Sequence, residues 1–411
     1  MTEILCGTHA PITGFEVRDG ELCVGGESLS HWTGKLGQTP YYLYDSALIR
    51  QRVEQLRSAI PQVHIHYAVK ANPLKQLVSF IAPLVDGLDV ASAGELGLVM
   101  NCNVAADRVS FAGPGKRDSE LELALRAGIT VNIESPRELD VLQRLGASQD
   151  LRPRVAIRVN PPFQLRASGM RMGGGAQQFG IDSEQVPALL RQIDPDAVDF
   201  VGFHIFTGSQ NLDTAAICEG QRSTCELAIE LSRHAPGPVR KLNIGGGFGI
   251  PYFPNDKPID LQAISNNLAA LLPGVETAMP GVQVVLELGR YLVGEAGVYI
   301  CRVIDRKVSR GKTFLVTDGG LHHHLAASGN FGQILRKNYP VVVANRMGSA
   351  KTEKASVVGP LCTPLDLLAN DMDLAVAEPG DLVAIFHSGA YGASASPQAF
   401  LGHPPVAELL V

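Results

Sequence analysis

From about residue 40 to residue 290, short apolar runs alternate with amphipathic stretches, and this rhythm limits the fold more than any other feature. The runs are "YYLY", "HIHYAV", "GLDVA", "RVSFAG", "ITVNI", "RVAIRVN", "VDFVGFHIF", "KLNIGGG" and "VQVVLELG". Helical patterns such as "ALIRQRVEQLRSAI" and "RDSELELALRAG" lie between most of them. Strand–helix alternation repeated about eight times argues for parallel βα units. That count favours a closed (β/α)8 TIM-type barrel over the competing architecture, an open doubly wound sheet.

After residue 290 the texture changes. "AGVYICRVIDRKVSRGKTFLVTDGG" reads as a β-meander turning at "SRG", and "DLVAIFHSGAYG" is a further β segment behind a Pro-Gly turn. Near the start, "FEVRDGELCVGGESL" has the pattern of a hairpin rather than a barrel unit. The expected α/β organisation is therefore N-terminal strands over 1–35, a barrel over 36–282, and a C-terminal β-sandwich or barrel domain over 283–411. The N-terminal strands are expected to join that last domain. At 411 residues the chain is long enough for two cores.

Composition excludes several roles. A net charge of −6 gives no basic surface for nucleic acid or an anionic membrane. No apolar run nears the roughly 20 residues that span a bilayer, and the N-terminus has no signal-peptide pattern. Seven scattered cysteines, without metal-ligand pairing, suit a reducing cytoplasm, the expected location.

In a parallel barrel, chemistry collects where strands end. "HIHYAVKANP" is an alternating strand that delivers Lys70 into a turn, and Asn72–Pro73 read as a helix N-cap with a first-turn proline. Asp89 ends "GLDV". His204 and Phe206 share one side of "GFHIF" by the two-residue period. Glu287 lies in "LELGR". The glycines of "NIGGGFG", Gly246 and Gly247 among them, can bring backbone N–H groups close to a phosphate, and Arg290 can add a charged fork. Singly, each has a bland structural reading. Jointly, a lysine, a phosphate cradle and a carboxylate are what pyridoxal 5'-phosphate requires.

With these residues the chain resembles the fold-type III pyridoxal-phosphate-dependent decarboxylases, the family of diaminopimelate and ornithine decarboxylases. The matching segments run in order along nearly the whole length: "YAVKAN", "GLDVASAGEL", "RVNP", "QFGID", "GFHIFTGSQ", "NIGGGFGIPY", "LELGR", "GPLCTPLD" and "GAYG". The resemblance implies a homodimer with shared active sites and loss of carbon dioxide from the Cα of an amino acid. It makes Lys70 the Schiff-base lysine and Glu287 the acid on the pyridine nitrogen. Ser209, Gly247, Gly289 and Arg290 match phosphate-binding positions, with Gly246 and Leu288 beside them. Asp89, His204, Phe206 and Tyr391 fall at the cofactor. Cys362 matches the catalytic cysteine lent by the partner subunit, which reprotonates the carbanion.

The departures fall on substrate recognition. Diaminopimelate decarboxylases follow the "GPLC" cysteine with Glu-Ser, and ornithine decarboxylases with an aspartate; here Thr363 and Pro364 follow, with Asp366 nearby. The family's "RPALY" stretch is replaced by "DGGLHHHLAASGNFGQILRKNYP". Arg290, Thr363, Asp366 and Tyr391 are the substrate-side candidates. Phe206 stands where the family has a second histidine; it can stack but not titrate. His322, His323 and His324 have no neighbouring carboxylate or thiol ligands, so a polar turn or a loop at the substrate mouth is expected and no metal. "SGMRMGGGAQQFGID" reads as a lid or a flexible surface loop. The expected substrate is a small-molecule amino acid or a carrier-protein-bound aminoacyl group, not ordinary diaminopimelate. The alternatives are meso-diaminopimelate decarboxylation, a racemase, which Glu287 opposes, and a non-catalytic regulatory homologue.

Overall fold

The computed structural model describes residue 10 and residues 12–165, 169–331, 333 and 336–411. They divide into two units. One comprises Val53–Gly249 and Pro258–Gly289; the other comprises the chain through Arg52, Ile250–Lys257 and Arg290–Val411.

The first unit is a closed parallel barrel. Its strands in chain order are His64–Ala68, Gly87–Val90, Val109–Phe111, Thr130–Ile133, Arg154–Asn160, Asp199–His204, Lys241–Gly246 and Gln283–Leu288. Each pairs in parallel with the next, and the eighth returns to the first through Val285 opposite His64 and Leu288 opposite Tyr67. Strands such as Gly87–Val90 and Thr130–Ile133 are buried throughout, as expected for a sheet covered on both faces. The helices between them start on local signals. Ser92 and Ser135 accept from the backbone N–H groups of Glu95 and Glu138, and Pro136 occupies the first turn of its helix. Among the described residues no helix is long and apolar enough to cross a membrane.

The second unit is a β domain. Its strands run in the order Val341–Val343, Leu382–Ile385, Gly297–Ser309, Lys312–Thr317, Thr352–Val358 and Leu367–Ala375. Arg310 and Gly311, both at positive φ, make the tight turn in "SRG". The N-terminal strands Glu16–Arg18, Glu21–Val24 and Glu27–Ser28 form their own small sheet. Leu22 N–H donates to the Ala344 carbonyl at 2.8 Å. Phe15, Leu22 and Trp32 share a core with Val298, Ile300 and Phe386.

Three expectations change. "YYLY" is not a barrel strand: Tyr41–Tyr44 pairs with Gly297–Ile300 and with Ala407–Leu410 in the β domain. A short, fully buried apolar run carries no period that tells one sheet from another. A boundary between 282 and 283 falls one strand early, because Gln283–Leu288 closes the barrel. Finally, Asn72 is not a helix N-cap. Val69–Ala71 form a single 3-10 turn and the helix starts at Lys75. Asn72 instead stiffens the turn, its Oδ1 accepting from Leu74 N–H at 3.1 Å and its carbonyl from the Tyr67 hydroxyl at 2.9 Å.

Candidate active site

The first barrel strand ends in the turn that carries Lys70. Its Nζ lies 3.4 Å from Glu287 Oε1, on the eighth strand, and 5.4 Å from the centre of the Phe206 ring. Glu287 is buried, and its other oxygen lies 3.0 Å from His204 Nε2 and 3.5 Å from Asn243 Nδ2. The His204 contact is close but poorly aligned as a hydrogen bond. Burial alone would raise the Glu287 pKa. The Lys70 ammonium and then His204 outweigh it, and hold the carboxyl well below its ordinary range. An uncompensated buried ion costs several kcal/mol, roughly. Glu287 is therefore a carboxylate because this constellation makes it one.

Asp89 ends the second strand inside a separate buried chain. Its Oδ1 is 3.1 Å from His66 Nδ1 and accepts from the Ser110 hydroxyl, which accepts from Asn132 Nδ2 at 3.1 Å. Asp89 Oδ2 is buried without a hydrogen-bond partner among the described residues.

Beside Glu287 the seventh strand runs into the glycine turn. Gly247 has φ +69°, and a side chain there would meet the Gly208 carbonyl at 2.1 Å. One on Gly246 would meet the Glu287 carbonyl at 2.2 Å and the buried Leu288 side chain at 2.7 Å. Ser209, in the adjoining loop, has a buried hydroxyl with no partner among the described residues. Gly289 lets the end of the eighth strand approach the lysine turn: a Cβ there would stand 2.8 Å from that of Ala71. Open backbone next to an unpaired hydroxyl is a cradle for an oxyanion, and it fits a phosphate.

In the β domain, Arg290 Nη1 donates to the Tyr252 hydroxyl at 2.6 Å, and its guanidinium lies 4.7 Å from the centre of the Tyr391 ring. Tyr391 itself adopts φ +54°, an uncommon and costly conformation for a bulky residue. Cys362 is exposed and Thr363 half-buried in the loop before Leu367. Asp366 does not offer its carboxylate to a substrate. It is 3% exposed, and its two oxygens accept from Leu321 N–H at 2.5 Å and Leu361 N–H at 2.8 Å. It fastens the Cys362 loop to the turn preceding the histidines.

That turn is not a polar surface. His322, His323 and His324 are all buried, and His323 and His324 bond to the Pro404 carbonyl and the Ser388 hydroxyl. Burial pushes the His324 pKa down to about 3. Among the described residues no group of His, Cys, Asp and Glu can hold a metal. Of the glycine-rich segment, Ser168 lies outside the described residues. Gly174 N–H donates to Asn160 Oδ1 at 3.0 Å, and Asn160 Nδ2 donates to the Gly175 carbonyl at 2.8 Å.

Sequence reasoning missed two groups. Glu134, ending the fourth strand, accepts from Arg158 Nη1 at 2.8 Å and from Gly180 N–H at 3.0 Å, so it anchors the loop carrying "QFGID". Its position after "TVNI" was the available clue. Tyr252, which bonds Arg290, has its ring centre 4.5 Å from that of Tyr339. Nothing in the spacing of "GIPY" and "RKNYP" pairs them.

A strand-end lysine, a buried carboxylate held ionic beside it and a neighbouring oxyanion cradle match the aldehyde, ring nitrogen and phosphate of one molecule. The protein is a pyridoxal-phosphate enzyme built on a parallel barrel. The family described as "Pyridoxal-dependent decarboxylase, pyridoxal binding domain" matches residues 46–294, and the chain belongs to it. The chain is 39% identical over 380 residues to the L-glutamyl-(BtrI acyl-carrier protein) decarboxylase of Niallia circulans, covering 91% of this chain and 89% of that one. It is 33% identical to the diaminopimelate decarboxylase of Aquifex aeolicus, covering 96% and 92%. The crystal structure of diaminopimelate decarboxylase from Helicobacter pylori complexed with L-lysine superposes with a TM-score of 0.82 at 28% identity, covering 93% and 94%. The chain is accordingly a pyridoxal-phosphate-dependent amino-acid decarboxylase.

Proposed function

We propose that this enzyme decarboxylates an amino acid whose distal end is modified or tethered, such as an aminoacyl group on a carrier protein. One observation carries the reading: the lysine, the buried acid and the glycine turn of the cofactor side are retained while the distal side is rebuilt. Thr363 and Pro364 replace the acidic position after the cysteine, and the one nearby acid, Asp366, is spent on backbone N–H groups. No free distal amine gains a carboxylate from this loop. Kinship with a glutamyl carrier-protein decarboxylase supports the same reading.

When bound, the cofactor draws off the electron pair released as carbon dioxide leaves Cα. Lys70 holds the aldehyde carbon between turnovers. Glu287, kept anionic by its neighbours, keeps the ring nitrogen protonated, and His204 fixes the orientation of that carboxylate. Phe206 supplies an apolar face. Ser209, the Gly246–Gly247 turn and Gly289 take the phosphate, with Leu288 packed under the turn. Cys362 returns the proton to Cα, contributed across a homodimer, and Thr363 faces the substrate.

The test is carbon dioxide release from a panel of free amino acids and carrier-tethered aminoacyl groups. Turnover of a tethered or modified substrate, with meso-diaminopimelate inert, is expected. Release from meso-diaminopimelate at ordinary enzymatic rates, roughly 1–1000 per second, overturns the reading. It would establish instead a diaminopimelate decarboxylase with a reconstructed pocket, the reading favoured by the Aquifex relative.

A further inference from the structure

The glycine-rich segment after the fifth barrel strand is fastened more closely than its composition suggests. Gly174 and Gly175 follow one another at φ +82° and +75°, a left-handed corner that favours glycine. A Cβ on Gly174 would meet the Phe163 carbonyl at 2.4 Å. Asn160 holds this corner. It is 4% exposed at the end of the strand Arg154–Asn160, and its Oδ1 accepts from Gly174 N–H at 3.0 Å. Its Nδ2 donates to the Gly175 carbonyl and to Asp182 Oδ1, each at 2.8 Å. Both amide protons and the oxygen are thus in use, a pairing of donor and acceptor that a carboxamide provides. The Asn160 carbonyl also accepts from Ser183 N–H at 3.0 Å, so one residue grips the segment at its corner and at its return.

Just before the corner, the same segment is zipped to the loop that carries Ser209. Met170 and Arg171 pair antiparallel with Ser209 and Gly208. Gly169 N–H donates to the Ser209 carbonyl at 2.9 Å, and Met172 N–H to the Thr207 carbonyl at 3.1 Å. Gly173 fits closely there: a Cβ on it would stand 3.2 Å from the Phe206 carbonyl and 3.3 Å from Thr207 Cα. The loop is tied in turn to the glycine turn. Asn211 N–H donates to the Gly247 carbonyl at 3.0 Å, and Gly249 N–H to the Asn211 carbonyl at 2.9 Å. The buried Ser209 hydroxyl, without a partner among the described residues, therefore stands on backbone held by two neighbours. One is the glycine turn and the other is the ribbon that Asn160 clips. All of these residues belong to the barrel unit.

We propose that Asn160 is a positioning residue for the phosphate cradle: by fixing the Gly174–Gly175 corner it holds the Gly169–Met172 ribbon, which sets where Ser209 stands. The proposal rests on Ser209 and the glycine turn receiving the cofactor phosphate. Apoprotein of the full chain is titrated with pyridoxal phosphate and, separately, with pyridoxal, which has no phosphate. The variants are Asn160→Ala, Ser209→Ala, and Asn160→Asp alone and combined with Asp182→Asn. Asn160→Asp turns an oxygen toward two acceptors, the Gly175 carbonyl and the Asp182 carboxylate. Adding Asp182→Asn restores a donor to the second of these contacts.

Asn160→Ala is expected to weaken pyridoxal phosphate binding roughly tenfold and to leave pyridoxal binding unchanged. Asn160→Asp should weaken it at least as much, and Asp182→Asn in that background should recover part of the loss. No recovery overturns the proposal. A phosphate-specific loss in Ser209→Ala but not in Asn160→Ala also overturns it, while leaving the cradle itself standing. So does equal weakening toward the two ligands, because a merely structural asparagine would act on both. Ser209→Ala without a phosphate-specific loss removes the cradle, and the proposal with it. Should Asn160→Ala fail to fold by circular dichroism, Gly173→Ala, which presses the ribbon against Thr207, carries the same test. Cofactor titration needs no turnover, so its outcome stands whatever the substrate assay gives.

Discussion

Lys70 Nζ and Glu287 Oε1 lie 3.4 Å apart although 217 positions separate them in the chain. They meet because the eighth barrel strand pairs with the first. Closure of the sheet thus places an amine beside a buried acid, and the amine helps hold that acid ionised.

Lys70→Ala removes the only proposed attachment for the cofactor aldehyde. Carbon dioxide release is expected to disappear, together with the visible absorbance of purified holoenzyme. A colourless wild-type protein whose behaviour Lys70→Ala leaves unaltered would identify a non-catalytic homologue.

Glu287→Gln preserves the shape of the side chain but removes its charge. Turnover is expected to fall on the order of 100-fold, through kcat rather than KM. Steady-state kinetics on a saturating substrate checks this. Retained kcat would mean that the ring nitrogen takes its proton from elsewhere.

Gly289→Ala puts a methyl group 2.8 Å from Ala71 Cβ, where backbone leaves no slack. We expect a loss of about 1–3 kcal/mol of stability and weaker cofactor binding as the Lys70 turn is displaced. Gly274→Ala is the control: it lies within the helix Leu261–Ala278 with open space at its Cβ, and is expected to be neutral or slightly stabilising. Melting temperatures of the two variants decide between local clash and general intolerance.

Asp366→Asn replaces an acceptor by a donor opposite a backbone N–H. The expected cost is about 1–3 kcal/mol, seen as a lowered melting temperature without substrate present. An unchanged melting temperature with a raised KM would return Asp366 to the substrate side.

His324 is neutral when folded, with its pKa pushed down to about 3 by burial. Between that value and the unfolded one near 6.5, the unfolded chain binds the extra proton, so stability falls as pH drops through this window. The slope is about 1.4 kcal/mol per pH unit for the one histidine. His324→Phe should flatten the acid limb by that much, measured from urea midpoints at pH 7 and pH 5. An unaltered limb would show that His324 takes up its proton without unfolding.

Much of this was legible in the residues. Lys70, the glycine turn and Glu287 stand at strand ends that short-range pattern locates, because alternation and Gly-rich turns are local properties. The histidines 322–324 misled for the opposite reason: their chemistry suggested a polar turn, but burial depends on what the rest of the β domain packs around them. "YYLY" failed likewise, since a continuous apolar run states that it is buried and not in which sheet.

By itself the sequence determined the βα rhythm and the number of strands near eight, and its lysine, glycine turn and acid pointed to the cofactor. Each follows from local periodicity or from the chemistry a side chain carries wherever it is put. Only the tertiary structure decided that Glu287 is anionic, that Asp366 is spent on backbone, and that Tyr252 bonds Arg290 with the Tyr339 ring beside it. Those outcomes depend on distances between segments far apart in the chain, and on the loss of water that comes with burial.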